Sequence, residues 1–234
     1  MAAGQPAGGR AEEFPALPEP GRDCPLCPRL VALRELTRER EPAWFNAPVP
    51  TFGDHGARLA IVGLAPGLRG ANRTGRPFTG DWAGRLLYET LISFGFAVGS
   101  YEERADDGLI LTDCVITNSV RCVPPENKPS PLEIRTCRSF LESTLAALPQ
   151  VVALVALGRI AHESVVRAFG YPLARFPFAH GGESVLERSQ REPIALFDSY
   201  HCSRYNTNTG VLTPDMFRSV FARVRERLDA SSAR

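Results

Sequence analysis

The stretch Arg58-Leu-Ala-Ile-Val-Gly63-Leu-Ala-Pro-Gly67 runs from a buried strand into a loop. Its first half is a short apolar run, which predicts a strand buried on both faces. Its second half is a glycine- and proline-bearing loop rich in accessible backbone groups. A polar segment follows, Leu68 to Asp81, in which Gly70, Gly75, Pro77 and Gly80 mark irregular backbone. Trp82 to Phe94 then predicts a helix with Leu86, Leu87, Leu91 and Phe94 on one side.

Outward from this unit the alternation repeats. Leu109–Asn118 predicts a second buried strand. Ser130-Pro-Leu-Glu133 is a capping box with proline at the first helical position, opening a helix through Leu148. Val151–Leu157 predicts a third strand, Gly158 opens a helix to Phe169, and Pro193–Tyr200 predicts a fourth strand. Thr213-Pro214 starts a terminal helix in which Met216, Phe217, Val220, Val224 and Leu228 form one buried face. On the amino-terminal side, Pro28–Arg40 predicts a helix with Leu30, Leu33 and Leu36–Thr37 as its apolar face and arginines opposite. Residues 1–21, rich in Ala, Gly, Pro and Glu without periodicity, predict a disordered tail ahead of a single domain spanning 22–234. Strands separated by helices indicate an α/β domain with a mostly parallel sheet, whose ligand site lies at the carboxyl ends of the strands. Three polar loops leave strands there, after Val62, Thr117 and Tyr200.

The chain of 234 residues holds no apolar run near the ~20 residues that span a bilayer, and its first residues lack the apolar core of a secretory signal. The expectation is a cytoplasmic protein with no membrane partner. Net charge is +1, but of the 27 basic residues only Lys128 is a lysine. GC-rich coding accounts for most of that bias, and arginine also suits bidentate phosphate recognition. The near-neutral balance speaks against a general DNA coat and leaves room for one local basic groove.

Six cysteines in a reducing compartment do not read as a disulfide framework. Cys24 and Cys27 form a C-x2-C pair, and Cys122 and Cys137 stand fourteen residues apart, the second on the capped helix. Four thiolates suit zinc or an iron–sulfur cluster, and spacing does not choose between them. Cys114 reads as a packed core residue, and Cys202 sits beside His201 in a polar loop.

Gly63-Leu-Ala-Pro-Gly67 is neither a dinucleotide fingerprint nor a Walker loop. Asn72-Arg-Thr-Gly-Arg-Pro-Phe-Thr-Gly-Asp81 is more informative, placing an aromatic ring, an acid and two arginines on one glycine-hinged loop. Phe78 reads as a core plug or as a stacking platform for a planar ligand. Asp81 reads as the N-cap of the helix from Trp82. Asn118, ending a strand, can present both a donor and an acceptor to a base edge. His201 follows a strand end beside Ser203, Arg204 and Tyr205.

These loops, together with Thr117-Asn-Ser-Val-Arg-Cys-Val-Pro-Pro-Glu-Asn-Lys-Pro129 and Tyr200-His-Cys-Ser-Arg-Tyr-Asn-Thr-Asn-Thr-Gly210, resemble the family 5 uracil-DNA glycosylases, part of a wider superfamily. The resemblance runs from about Cys24 to the terminal helix. It implies a three-layer α/β/α sandwich and a 4Fe–4S cluster on Cys24, Cys27, Cys122 and Cys137. It further implies hydrolysis of the N-glycosidic bond of uracil, with modified uracils and hypoxanthine as further substrates. The base is flipped from double-stranded DNA at the start of base excision repair. Phe78 would stack on the flipped ring, with Ala65 and Gly67 lining its pocket. Asn118 would read the Watson–Crick edge, and His201 would stabilise charge on the leaving base. Asp81 would orient water or stabilise the sugar cation. Ser203 would pin a phosphate, and Arg204 with Tyr205 would fill the gap left by the base.

Two departures from the wider superfamily bear on this. Leu64 stands where many relatives place a water-positioning acid or amide, as is typical of family 5, and Cys202 stands where proline is common. A monomeric protein of a bacterial or archaeal cytoplasm, associated with the nucleoid, is the expected setting. Two other readings are a non-catalytic iron–sulfur or zinc module that binds nucleic acid, and a nucleotide-binding oxidoreductase. The latter lacks a dinucleotide loop.

Overall fold

The computed structural model describes residues 16–189 and 191–232. Eight strands are assigned: β1 (Phe52–Gly53), β2 (Leu59–Gly63), β3 (Ala97–Val98), β4 (Ile110–Leu111), β5 (Cys114–Asn118), β6 (Ala153–Leu157), β7 (Glu183–Arg188) and β8 (Arg191–Ser199). Seven α-helices accompany them: α1 (Pro28–Arg40), α2 (Ala71–Thr74), α3 (Trp82–Ser93), α4 (Pro131–Ala146), α5 (Arg159–Ala168), α6 (Arg204–Asn208) and α7 (Pro214–Ser232). Six strands form one sheet in the order β1-β5-β2-β6-β8-β7; β5, β2, β6 and β8 are parallel, and the two edge strands are antiparallel. β2, β5 and β6 are buried at every position, as strands covered on both faces must be.

The layers follow from which residues alternate to each face. Leu59, Ile61, Ile116 and Val155 pack with Leu87, Leu91, Phe217 and Phe221 of α3 and α7. Ala60, Val62, Leu154 and Ala156 pack with Leu141, Leu145, Val165 and Val166 of α4 and α5. The result is the α/β domain with a mostly parallel sheet that the strand–helix alternation predicts, in the three-layer sandwich that the resemblance implies. A third, small cluster of Leu30, Val120 and Cys137 attaches α1 to the start of α4. The capping box of α4 is complete: Ser130 Oγ accepts from Glu133 N at 3.2 Å and Glu133 Oε2 accepts from Ser130 N at 2.7 Å. The same Glu133 carboxylate takes both nitrogens of Arg29, which ties the two helices together.

Several expectations need correction. The predicted strand Leu109–Asn118 is broken at Thr112–Asp113, where Asp113 has φ 54° and its carboxylate binds the backbone and guanidinium of Arg58. The piece before the break pairs with β3 in a separate two-stranded sheet. On α1 the buried residues are Leu30, Arg34 and Thr37, whereas Leu36 is 39% exposed. Arg34 turns inward because Cys24 O accepts from it at 3.0 Å and Cys122 Sγ lies 3.9 Å away. Of the predicted tail, residues 1–15 lie outside the described residues. Within 16–21, Leu17 is buried in the core and the carboxylate of Glu19 accepts from Thr51 N, so packing begins before Arg22. The edge strand β7 has no counterpart among the predicted strands, because its polar composition hides its alternation.

Candidate active site

The carboxyl ends of β2, β5 and β8 converge on one cleft of ≈ 600 Å³, within the range of a small-molecule pocket. Register aligns them: Gly63 of β2 faces Asn118 of β5. The loops that leave these two strands are joined by hydrogen bonds from Ser119 N to Gly63 O (2.9 Å) and from Val120 N to Leu64 O (2.9 Å). A Cβ at Gly63 would collide with the amide oxygen of Asn118 and the ring of Phe78, so only glycine lets both approach.

Phe78 forms one wall. It is buried, yet its backbone has φ 53°, a costly conformation for a bulky residue that persists only where surroundings enforce it. The enforcement is visible. Tyr88 donates to Pro77 O at 2.6 Å, Tyr101 donates to Phe78 O at 3.0 Å, and Thr74 donates to Thr79 O at 3.1 Å. Behind them Arg76 is buried among the rings of Phe52, Tyr88 and Tyr101 and makes two 2.7 Å bonds to Asp107. Its Nε donates to Thr79 Oγ1 at 2.7 Å. The Asp107 carboxyl is held well below the usual carboxylate range by Arg76 and the amides of Glu102 and Leu109. Breaking a buried pair of this kind costs about 3–5 kcal/mol.

Facing Phe78 stand His201 and Asn118. The His201 ring stacks on Phe78 with centroids 5.8 Å apart and planes 27° from parallel. Burial pushes its pKa down to about 4, so the imidazole is neutral at physiological pH and can donate one N–H. Asn118 is buried and its Oδ1 has no hydrogen-bond partner among the described residues. An orphaned buried acceptor beside an aromatic wall suits a planar ligand with its own N–H donor. Asp81 closes the cleft. Its Oδ1 accepts from Gly84 N at 3.3 Å as the N-cap of α3, and its other oxygen lies against the backbone of Gly67 and Gly70. Burial raises its pKa despite the amides of Gly84 and Ala83.

The outer lip is α6. Ser203 is its N-cap, accepting from Asn206 N at 3.3 Å. The Arg204 guanidinium lies over the Trp82 ring, 5.0 Å from its centroid, and Trp82 Nε1 donates to Thr207 Oγ1 at 3.0 Å. Ala65, Gly67, Phe78, Asp81, Asn118, His201, Ser203 and Arg204 therefore line one cleft. Tyr205 is not among its lining residues; it projects outward and is 73% exposed. Sequence reasoning missed Trp82 and Asn127, which also line it. Asn127 carried a readable signal, a polar residue in a proline-rich loop, and it adopts φ 57° there. Asp107 carried none, since Ala105-Asp-Asp-Gly108 reads as an ordinary turn.

The four predicted ligand cysteines also meet. Cys24, Cys27, Cys122 and Cys137 line a cavity of ≈ 20 Å³ whose other walls include Leu30, Val120 and Phe140 but no imidazole or carboxylate. No group of three His, Cys, Asp or Glu among the described residues is arranged to hold a single metal ion. Burial pushes the Cys27 thiol up to about 11 and the Cys122 thiol up to about 12, and raises Cys137 as well. Thiolates there need a compensating positive centre. Arg34 reaches Cys122 Sγ, and Arg121 N donates to Cys137 Sγ at 3.4 Å; both arginines keep a buried Nε without a partner among the described residues. An all-sulfur donor set, edged by an N–H donor and arginines, fits an iron–sulfur cluster by its donor chemistry. Cys114 and Cys202 stand apart and buried, Cys202 Sγ donating to Ala83 O.

The family model of the uracil DNA glycosylase superfamily matches residues 50–225. A type-5 uracil-DNA glycosylase of Thermus thermophilus is 47% identical over 84% of this chain and 90% of its own length. One from Mycobacterium leprae is 40% identical over 91% and 95%. A type-4 enzyme of Archaeoglobus fulgidus is 37% identical over 65% and 69%. No helix among the described residues is long and apolar enough to cross a membrane. The match covers all three strand ends and every loop of the cleft, and the chain belongs to the uracil DNA glycosylase superfamily.

Proposed function

We propose that the chain is a monofunctional uracil-DNA glycosylase of the type-5 kind, hydrolysing the bond between a deaminated base and deoxyribose to initiate base excision repair. The observation that carries the reading is the pairing of Phe78 with Asn118 across the cleft: one wall to stack a planar ring, one unpartnered amide oxygen to accept its N–H. Uracil supplies that N–H at its Watson–Crick edge. Substituted uracils and hypoxanthine share that planar ring and N–H and are further substrates on this reading.

As the C1′–N bond breaks, the electron pair leaves with the base and the sugar gains cationic character. A neutral His201 N–H donates to the developing oxyanion of the base without itself giving up a proton. Asp81 faces the sugar side, where its carboxylate favours the cation and orients the water that adds to C1′. The only lysine, Lys128, is outside the cleft, which supports simple hydrolysis over Schiff-base strand cleavage. Duplex DNA is the substrate form, with α6 at the gap left by the flipped nucleotide: Ser203 on a phosphate, Arg204 and Tyr205 in the stack. Cys24, Cys27, Cys122 and Cys137 would hold a 4Fe–4S cluster that cross-links the α1 end to α4. The protein acts as a monomer in a bacterial or archaeal cytoplasm.

Single-turnover assay of a labelled duplex with one U·G pair tests the activity. Free uracil and an abasic site cleaved only after alkali are the expected products. No release from brown, cluster-replete protein would overturn the reading in favour of a non-catalytic binding module.

A further inference from the structure

Outside the cleft, two stripes of side chains face each other. Pro131, Ile134, Arg135 and Arg138 recur on α4 at the spacing of one helix face, and Ile160, Glu163, Ser164 and Arg167 do the same on α5. They line a groove of ≈ 410 Å³ between the two helices. It begins at the rim of the cleft. Asn127 lines the cleft and Pro129 lines the groove; a Cβ on Gly158 would touch the His201 Cβ at 3.4 Å, and Ile160 lines the groove. In both places two residues of chain, at most about 7 Å, separate the two sites.

The groove is apolar at the rim and cationic further along the helices. Among the described residues, none of the guanidinium groups of Arg135, Arg138 and Arg167 makes a hydrogen bond or ion pair with a carboxylate. This contrasts with Arg29, Arg58, Arg76 and Arg223, each held on a carboxylate. Arg138 Nε is buried with no partner. Burial, Arg167 and Arg135 all disfavour the Arg138 charge; Glu142 partly offsets this, and Glu163 in the groove wall pairs with none of the three. Three cations gathered in one groove on a nearly neutral chain, with Arg135 and Arg167 both acting on Arg138, fit a multivalent anion, and planar guanidinium forks suit phosphate.

We propose that the α4–α5 groove is a backbone-binding subsite in which Arg135, Arg138 and Arg167 hold phosphates of the substrate duplex beyond the flipped nucleotide. The proposal rests on the reading of the chain as acting on uracil in DNA, and on the groove opening at the rim where that duplex must lie. The subsite carries no sequence information; it adds affinity and sets register.

The test is binding by fluorescence anisotropy across a salt series, using a long duplex with one central U·G pair, the same duplex without uracil, and versions shortened on either side of the lesion. Each lost phosphate contact flattens the slope of log Kd against log salt by about 0.9. The triple variant R135Q/R138Q/R167Q is expected to flatten it by about two to three, equally on both long duplexes. One of the two shortened duplexes, lacking the phosphates that reach the groove, is expected to bind variant and wild type alike. Should the triple variant melt early, R135Q/R167Q, changed only at exposed positions, carries the test with a flattening of about two. Parallel slopes, or a loss that persists on both shortened duplexes, would overturn the proposal. Uracil release by the wild-type protein is scored on the same duplexes. An inactive wild type would refute the proposed activity while leaving the salt comparison readable.

Discussion

The base cleft and the cysteine corner hang on the same strand end, four residues apart at Asn118 and Cys122, and are built by opposite means. The cleft wall is held by directed bonds: Phe78 is fixed by two tyrosine hydroxyls and by the Arg76–Asp107 pair. The corner has few such bonds; thiols are packed among Leu30, Val120 and Phe140, with burial working against their ionisation. The cleft is preorganised by the protein itself, whereas the corner would draw its order from the cluster proposed for its sulfurs.

The largest effect is expected from removing sulfur ligands. Cys122→Ala with Cys137→Ala is expected to abolish bound iron and sulfide and to lower the melting temperature by roughly 10–20 °C, at about 2–4 °C per kcal/mol. Iron analysis and calorimetry check it; full stability without iron would place the corner's order in its packing. Next in size, Asp107→Asn leaves Arg76 buried and unpaired, an expected cost of about 3–5 kcal/mol by urea titration. Because the Asp107 pKa is depressed when folded, this stabilisation is present above the ordinary carboxylate range and fades as pH falls below it. The variant should lose that acid sensitivity, and with Phe78 released, excision should fall as well.

His201→Ala is expected to slow single-turnover excision by about 10²–10³-fold, the usual loss for one oxyanion donor. Since the folded pKa of His201 is lowered to about 4, the neutral donor persists from neutral pH down to that value. Burial raises the Asp81 pKa above the ordinary carboxylate range, so Asp81→Asn is expected to shift the acid limb of the wild-type profile. Tyr205→Ala should reduce excision from duplex by about tenfold, with single-stranded substrate unaffected, since only a duplex has a gap to fill. The smallest effect is expected for Ser130→Ala, about 1 kcal/mol from the lost cap, read as a few degrees in melting temperature with excision unchanged.

Much of this was legible in the sequence because it rests on local rules. α1, α3, α4, α5 and α7 announce themselves by capping, proline placement and apolar spacing, and β2 and β6 by unbroken apolar runs. The cleft residues were readable where a loop follows a strand end, as for Asn118 and His201. What was hidden is long-range. The break at Asp113 depends on Arg58 fifty-five residues away, the inward turn of Arg34 on Cys122, and the fixing of Phe78 on Asp107. β7 was missed because an edge strand need not be apolar.

The central claim is that Asn118 reads the edge of a base stacked on Phe78. Asn118→Asp replaces the amide donor with an acceptor and leaves the cleft's shape intact. Single-turnover release is measured from duplexes carrying one U·G or one C·G pair. Uracil release is expected to fall by about two orders of magnitude or more, from the loss of one hydrogen bond plus repulsion between the new carboxylate and a base oxygen. Slow cytosine release, its amino group now matched, is expected to emerge. Uracil release at the wild-type rate would contradict the central claim.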